Sequence, residues 1–228
     1  MTGSETPALT TEFTKWRLVD MIQTAGEGRG TPDAGTALAR DDSPMPTRRS
    51  VQSELPAFDD DDCLTAVVEA TRGSRNKFKY EPKHDVFMLH GVLPAGSSFP
   101  FDFGFVPSTR GDDGDPLDVL ILMDEPAFVG AVVPCRLIGA IEAEQAEPNA
   151  EPERNDRLLA VASESRSYRD VNSIADLHTQ LVEEVEHFWV AYNEVKGKRF
   201  TPIGRADANT ARRLVRNGKS KGRRKTRR

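Results

Sequence analysis

The first apolar run long enough to build structure begins at Cys63. Before it, from Met1 to about Asp62, Thr, Gly, Pro, Asp and Arg follow one another without a period, as in GEGRGTPDAG and RDDSPMPTRR. Such a segment buries too little apolar surface to offset its ordering entropy, so residues 1–62 are expected to form a disordered extension. Within it, TEFTKWRLVDMIQ sets Phe13, Trp16, Val19 and Ile22 on one helical face behind a capping Thr11, a transient helix in a flexible tail.

From Cys63 the pattern becomes β-like. CLTAVVEA and DVFMLHGVL read as strands separated by the turn-rich TRGSRNKFKYEPKHD, and PLDVLILM, VVPCRLIGAIEAE and RLLAVAS read as further strands between Gly, Pro and acidic loops. Five or so strands at this spacing suggest a small barrel or sandwich. The period then lengthens: Ile174, Leu177, Leu181, Val185, Phe188, Tyr192 and Val195 recur every three or four residues, an amphipathic helix ending near Lys196-Gly197 and packed on the strands. A second, short helix from Asp207 carries Leu214 and Val215, and NGKSKGRRKTRR is expected to continue as disordered basic tail. The domains expected are therefore the extension 1–62, a folded domain over 63–208, and the short helix and tail over 209–228.

Composition sharpens this division. Hydrophobic residues make up 37% and charged residues 29%, more polar than a compact globule, which agrees with unfolded extensions. The net charge is −5, yet residues 212–228 hold ten Lys or Arg and no acid, so the rest of the chain is near −15. Cys63 and Cys135 make neither a disulfide framework nor a Cys/His metal spacing. No apolar run approaches the roughly 20 residues of a spanning helix, and no signal-peptide core opens the chain; a soluble, cytoplasmic protein is expected.

The candidate chemistry lies in GDDGDPLDVLILMDEP, where Asp113, Asp115 and Asp118 crowd one turn and lead into an apolar strand. Like charges so close need a cation, a proton or open water. Gly114 permits a sharp turn and Pro116 stiffens the next step, so an anchored turn can direct its carboxylates at one or two hard divalent ions, Mg²⁺ being the natural candidate. A solvated acidic loop is the bland alternative. An EF-hand is excluded by the Pro after Asp115 and by the strand that follows.

DGDPLDV (113–119) resembles the signature of soluble family I inorganic pyrophosphatases. VVEATRGSRNKFKYE is similar to that family's first strand and phosphate-binding turn, FPFDFGFVPST to the segment before the acidic turn, and RNDRLLAVA to a later active-site strand. DVNSIADL and HFWVAYNEVKGK resemble its final loop and helix. The resemblance spans about Cys63 to Phe200. It implies a mainly β fold, a five-stranded OB-type closed barrel with C-terminal helices, and Mg²⁺-dependent hydrolysis of pyrophosphate to two phosphates. It further implies Asp113 and Asp118 as metal ligands, Asp115 as the carboxylate beside the attacking water, Glu69 as an acid of the cavity at the metal site, and Lys77 and Tyr192 as phosphate ligands. A homo-oligomer, with a hexamer as the common bacterial form, is implied as well.

The departures from the pattern are numerous. Lys79 replaces an acid, Gly91 a phosphate-binding arginine, Phe99 and Phe103 tyrosines, Gln145 and Asn155 metal-binding aspartates, Arg157 a lysine, and Asn193 the lysine after the tyrosine. Asp156 is the substitute expected for the neighbouring metal ligand, and Arg157, Lys79 and Lys198 are the cations expected to compensate at the phosphates. Two other readings follow from the same residues. OB-type barrels bind nucleic acids, and the basic tail suits a phosphate backbone, although the acidic domain lacks interleaved basic and aromatic residues. Alternatively, the altered pocket accepts polyphosphate or another diphosphate.

Overall fold

The structure is a computed structural model that describes residues 55–225, with side chains for 55–218. Its elements are β1 (Leu64–Ala70), β2 (Asn76–Glu81), β3 (Val86–Val92), β4 (Asp102–Val106), β5 (Leu117–Leu122), β6 (Val132–Ala146), β7 (Glu153–Arg154), β8 (Arg157–Ala162), a 3₁₀ turn (Ile174–Asp176), α1 (Thr179–Glu194), β9 (Arg199–Asp207) and α2 (Ala208–Lys225). The helix expected near Thr11 lies outside the described residues.

Five strands close a barrel. They run in the order β1-β4-β5-β8-β6, and β6 returns to β1 through pairs from Leu64 with Cys135 to Val67 with Val132. The β5–β8 pair is parallel. β6 has two register shifts, between Leu137 and Gly139 and between Glu142 and Ala143, and beyond the first it pairs with β9 and β7 as well. Bulges of this kind bend a strand, which lets one long strand serve both barrel and extension.

Both faces of the barrel strands are buried. Leu120, Leu122, Leu159 and Val161 join one cluster with Phe99, Phe103 and the α1 residues Val182, Val185 and Trp189. The alternate residues Val119, Ile121, Leu158 and Ala160 join a second cluster with Ala211 and Val215 of α2. Strands covered on both faces are apolar throughout, which is why LDVLIL and RLLAVA were conspicuous in the sequence. Each such Leu, Ile or Phe contributes about 1.5–3 kcal/mol by leaving water.

Several boundaries differ from expectation. Residues 55–62, assigned to the disordered extension, pack on the barrel: Ala57 is fully buried, Thr65 N–H donates to Ala57 O at 3.0 Å, and Ser108 Oγ donates to Leu55 O at 2.7 Å. The expected single helix over 174–195 is a 3₁₀ turn with a Ser173–Asp176 capping box, a break at extended Leu177, and then α1. The turn-rich segment after β1 contains a strand, β2, which forms a hairpin with β3. β9 was not anticipated, and the short terminal helix is an 18-residue one that runs through to Lys225. Asp207 starts it by accepting the Thr210 N–H at 2.7 Å.

Candidate active site

Strand parity gathers the first group of side chains. Asp118 lies two residues before Leu120, and Arg157 two before Leu159, so both crown the α1-facing core where it meets solvent. Glu69 lies at the register shift between Val68 and Ala70 on β1, and Lys77 borders the shift between Lys77 and Phe78 on β2. Bulges re-aim side chains, and here they turn an acid and a base toward Asp118.

In the resulting cluster Glu69 and Arg157 are buried and Lys77 and Asp118 partly so. Arg157 Nη1 lies 3.0 Å from Asp118 Oδ2, and Lys77 Nζ lies 3.8 Å from Glu69 Oε2. The Arg157 guanidinium, 4% exposed, stacks over Trp189 at 4.8 Å and Phe200 at 5.3 Å, while Lys77 Nζ sits 4.6 Å above the Phe103 ring. Burial pushes the Glu69 carboxyl up to about 7, with Asp118 adding to the shift against the pull of Lys77. For Lys77 burial alone would lower the ammonium's value, but Asp118, Tyr192 and Glu69 together raise it. Burial also raises Tyr192, whose ring closes the site beside Phe99 at 5.9 Å. Arg157 Nε is buried without a hydrogen-bond partner.

The acidic turn forms the outer rim. Gly114 adopts φ +89°, Gly111 N–H donates to Asp115 O at 2.7 Å, and Thr109 Oγ1 accepts the Leu117 N–H at 3.0 Å, fixing the turn to the start of β5. Asp113 Oδ1 accepts the Asp115 N–H at 3.0 Å, and its Oδ2 accepts from Asn155 Nδ2 at 3.3 Å. Lys79 Nζ bonds Asp115 Oδ2 at 3.0 Å, an exposed pair that adds little stability but sets a cation beside that carboxylate. From behind, Arg110 N–H donates to Gly218 O of α2 at 3.1 Å, and a cavity of about 260 Å³ opens between the turn, Asn155, Asp156 and Leu214.

The structure thus brings together Glu69, Lys77, Asp118, Arg157 and Tyr192, with Asp113 and Asp115 at the rim. It does not bring in Asp156 or Lys198 in the same way. Asp156 has the opposite strand parity to Asn155 and Arg157, and its Oδ1 accepts from Ala143 N–H at 3.0 Å and from Arg154 Nε at 2.5 Å. Lys198 Nζ is drawn to Glu147 Oε1 at 2.5 Å. Sequence reasoning missed Lys196, whose Nζ donates to Tyr192 OH at 2.6 Å. The i, i+4 spacing of Tyr192 and Lys196 was the available signal.

The acids are donors of the kind a hard divalent ion takes, but as they stand they do not converge on one point. The carboxylates offer oxygen alone, and Asp113 is raised by burial and by Asp118 and Asp115, a repulsion that a cation relieves. Lys79 and Arg157 stand among them, and among the described residues no three His, Cys, Asp or Glu side chains meet in a group that could hold a metal ion.

The family model described as inorganic pyrophosphatase matches residues 66–222. An inorganic pyrophosphatase of Nostoc sp. is 32% identical over 163 residues, covering 72% of this chain and 94% of that protein. Among solved structures, the inorganic pyrophosphatase of Thermus thermophilus superposes with a TM-score of 0.69 at 31% identity, covering 75% of this chain and 98% of that one. The inorganic pyrophosphatase of Helicobacter pylori gives 0.66 at 27%, covering 75% and 99%.

Proposed function

The chain belongs to the inorganic pyrophosphatase family, and we propose that it hydrolyses inorganic pyrophosphate to two phosphates with Mg²⁺ as cofactor. The observation that carries this reading is the buried meeting of Glu69 and Asp118 with Lys77 and Arg157, beside the Tyr192 ring. Two acids and two bases in one apolar setting suit an anion that arrives with a cation.

Asp113, Asp118 and Glu69 are the carboxylates that would have to draw together to hold Mg²⁺, which would supply positive charge at the phosphates and lower the pKa of the attacking water. Asp115 lies outermost, where its carboxylate would take the proton of the attacking water. Lys79, 3.0 Å away, fixes the direction of Asp115. Lys77 and Arg157 face the phosphate that leaves, and their charges gain most when the bridging oxygen takes up the electron pair of the broken P–O bond. Phe99 and Phe103, both about 1% exposed, exclude water behind them. No covalent bond to the protein is needed, because positioning and charge carry phosphoryl transfer.

Phosphate release from pyrophosphate across a Mg²⁺ titration tests the proposal, with Asp115→Asn and Asp118→Asn measured beside the wild type. Activity that needs Mg²⁺ and falls at least a hundredfold in both variants is expected. Release by the wild type no faster than by Asp115→Asn would remove the proposal. A homo-oligomer, including a hexamer, remains the assembly proposed, and light scattering measures it.

A further inference from the structure

α1 closes at Val195, and Gly197 at φ +74° turns the chain. Lys196, just before that turn, reaches back along the helix. Its Nζ donates to Tyr192 OH at 2.6 Å and stands 4.0 Å from the centre of the Tyr192 ring. Asn193, next to Tyr192, cannot serve in its place, because it is buried and its Nδ2 donates to Trp189 O at 2.8 Å. Lys198 is occupied by Glu147. Lys196 is therefore the cation that α1 delivers to the mouth of the site.

We propose that Lys196 is a substrate-binding residue that grips, together with the Tyr192 hydroxyl, the outer oxygens of a phosphate group of pyrophosphate. The inference rests on the reading of this rim as a pyrophosphate site. Several charged groups surround the lysine: Lys77 from β2, His90 from β3, Asp118 from β5, Arg157 from β8, Tyr192 from α1 and Lys198 from the turn before β9. Cations outnumber acids there, which favours an anion. Partial burial first, and then Lys77 and Lys198, bring the Lys196 ammonium down to about 8, a cost that a bound phosphate reverses. Glu69 titrates near 7 and His90 below its ordinary value, whereas Lys77 and Tyr192 are shifted upward, so loss of affinity just above pH 8 reports Lys196.

The test is steady-state hydrolysis of pyrophosphate from pH 7 to 9.5 by wild type, Lys196→Met and Lys196→Arg, with calorimetric binding of methylenediphosphonate, a non-hydrolysable analogue, to each. KM is expected to rise about tenfold in Lys196→Met with kcat changed less than threefold. In the wild type KM should climb above pH 8, a rise absent in Lys196→Met and displaced to higher pH in Lys196→Arg. Analogue affinity should follow the same order. Equal KM, pH profile and analogue affinity in all three would overturn the role of Lys196. A wild type that binds the analogue through Lys196 but releases no phosphate would overturn the hydrolytic reading and leave the binding role standing.

Discussion

Glu69 carries a stability cost that function explains. The folded protein holds the Glu69 proton to about pH 7, whereas the unfolded chain releases it near the ordinary 4.5. Between those values the folded state binds more protons, so Glu69 makes stability decline as pH rises through that window, by roughly 2–4 kcal/mol in total. Without divalent metal, Glu69→Gln should melt above the wild type at pH 8, with the gap closing by pH 5, while its hydrolysis is lost. A pH-independent gap in calorimetry would contradict this account. Gly91 offers the opposite experiment. It pairs with Lys77 across the β2–β3 hairpin, and a Cβ built there meets nothing within 4 Å. Gly91→Arg should therefore fold normally and lower KM for pyrophosphate several-fold at similar kcat, as measured by initial rates. The sequence alone exposed Asp113, Asp115 and Asp118 because crowded acids on a Gly-Pro turn are chemically unusual. It could not show that Ala143 N–H and Arg154 claim the Asp156 carboxylate or that Lys196 reaches the Tyr192 hydroxyl, because partners brought in by the fold decide both.

Among the elements, continuous apolar runs were legible: β1, β5, β6 and β8, and also the largely exposed β3, whereas β4 (DFGFV), buried throughout, was not, because Asp102 and Gly104 interrupt it. β5, β6 and β8 are dense in Leu, Ile, Val and Ala, but β2 (NKFKYE) buries only Tyr80 fully, and β9 (RFTPIGRAD) interrupts its few apolar residues with Pro202 and Gly204. α2 was underestimated for the same reason, since its contact with the barrel relies on Ala211, Val215 and Gly218 within a basic sequence. Gly218 is the informative position. A Cβ there would stand 3.0 Å from Leu117 Cδ1 and 3.3 Å from Arg110 O, so a branched side chain must push α2 from the acidic turn. Gly218→Val is expected to cost about 1–3 kcal/mol. It should also reduce kcat/KM at least tenfold while circular dichroism stays native. Trp189→Ala, which empties the contact under Arg157, should cost about 3–5 kcal/mol in chemical denaturation.

At the scale of the whole molecule, strand number and spacing left a barrel and a sandwich both open and only the family resemblance chose the barrel, whereas its closure through β1 and β6 was not legible, because pairing between distant strands leaves no local mark. The acids of the site repel one another in the folded state, so a bound cation should act on the stability of the entire domain. Mg²⁺ at a hundredfold excess over its Kd should add about 2.7 kcal/mol, visible as a rise in Tm that EDTA reverses and Asp118→Asn abolishes. The hydrogen bond from Arg110 to Gly218 has a further meaning for how the protein is made. The acidic turn is translated long before its support in α2, and non-local contacts of this kind form late. A nascent chain can close its barrel on the ribosome and still lack a braced acidic turn. Catalytic competence should thus wait for α2, and a chain cut short before Gly218 is expected to turn over less substrate than the full one.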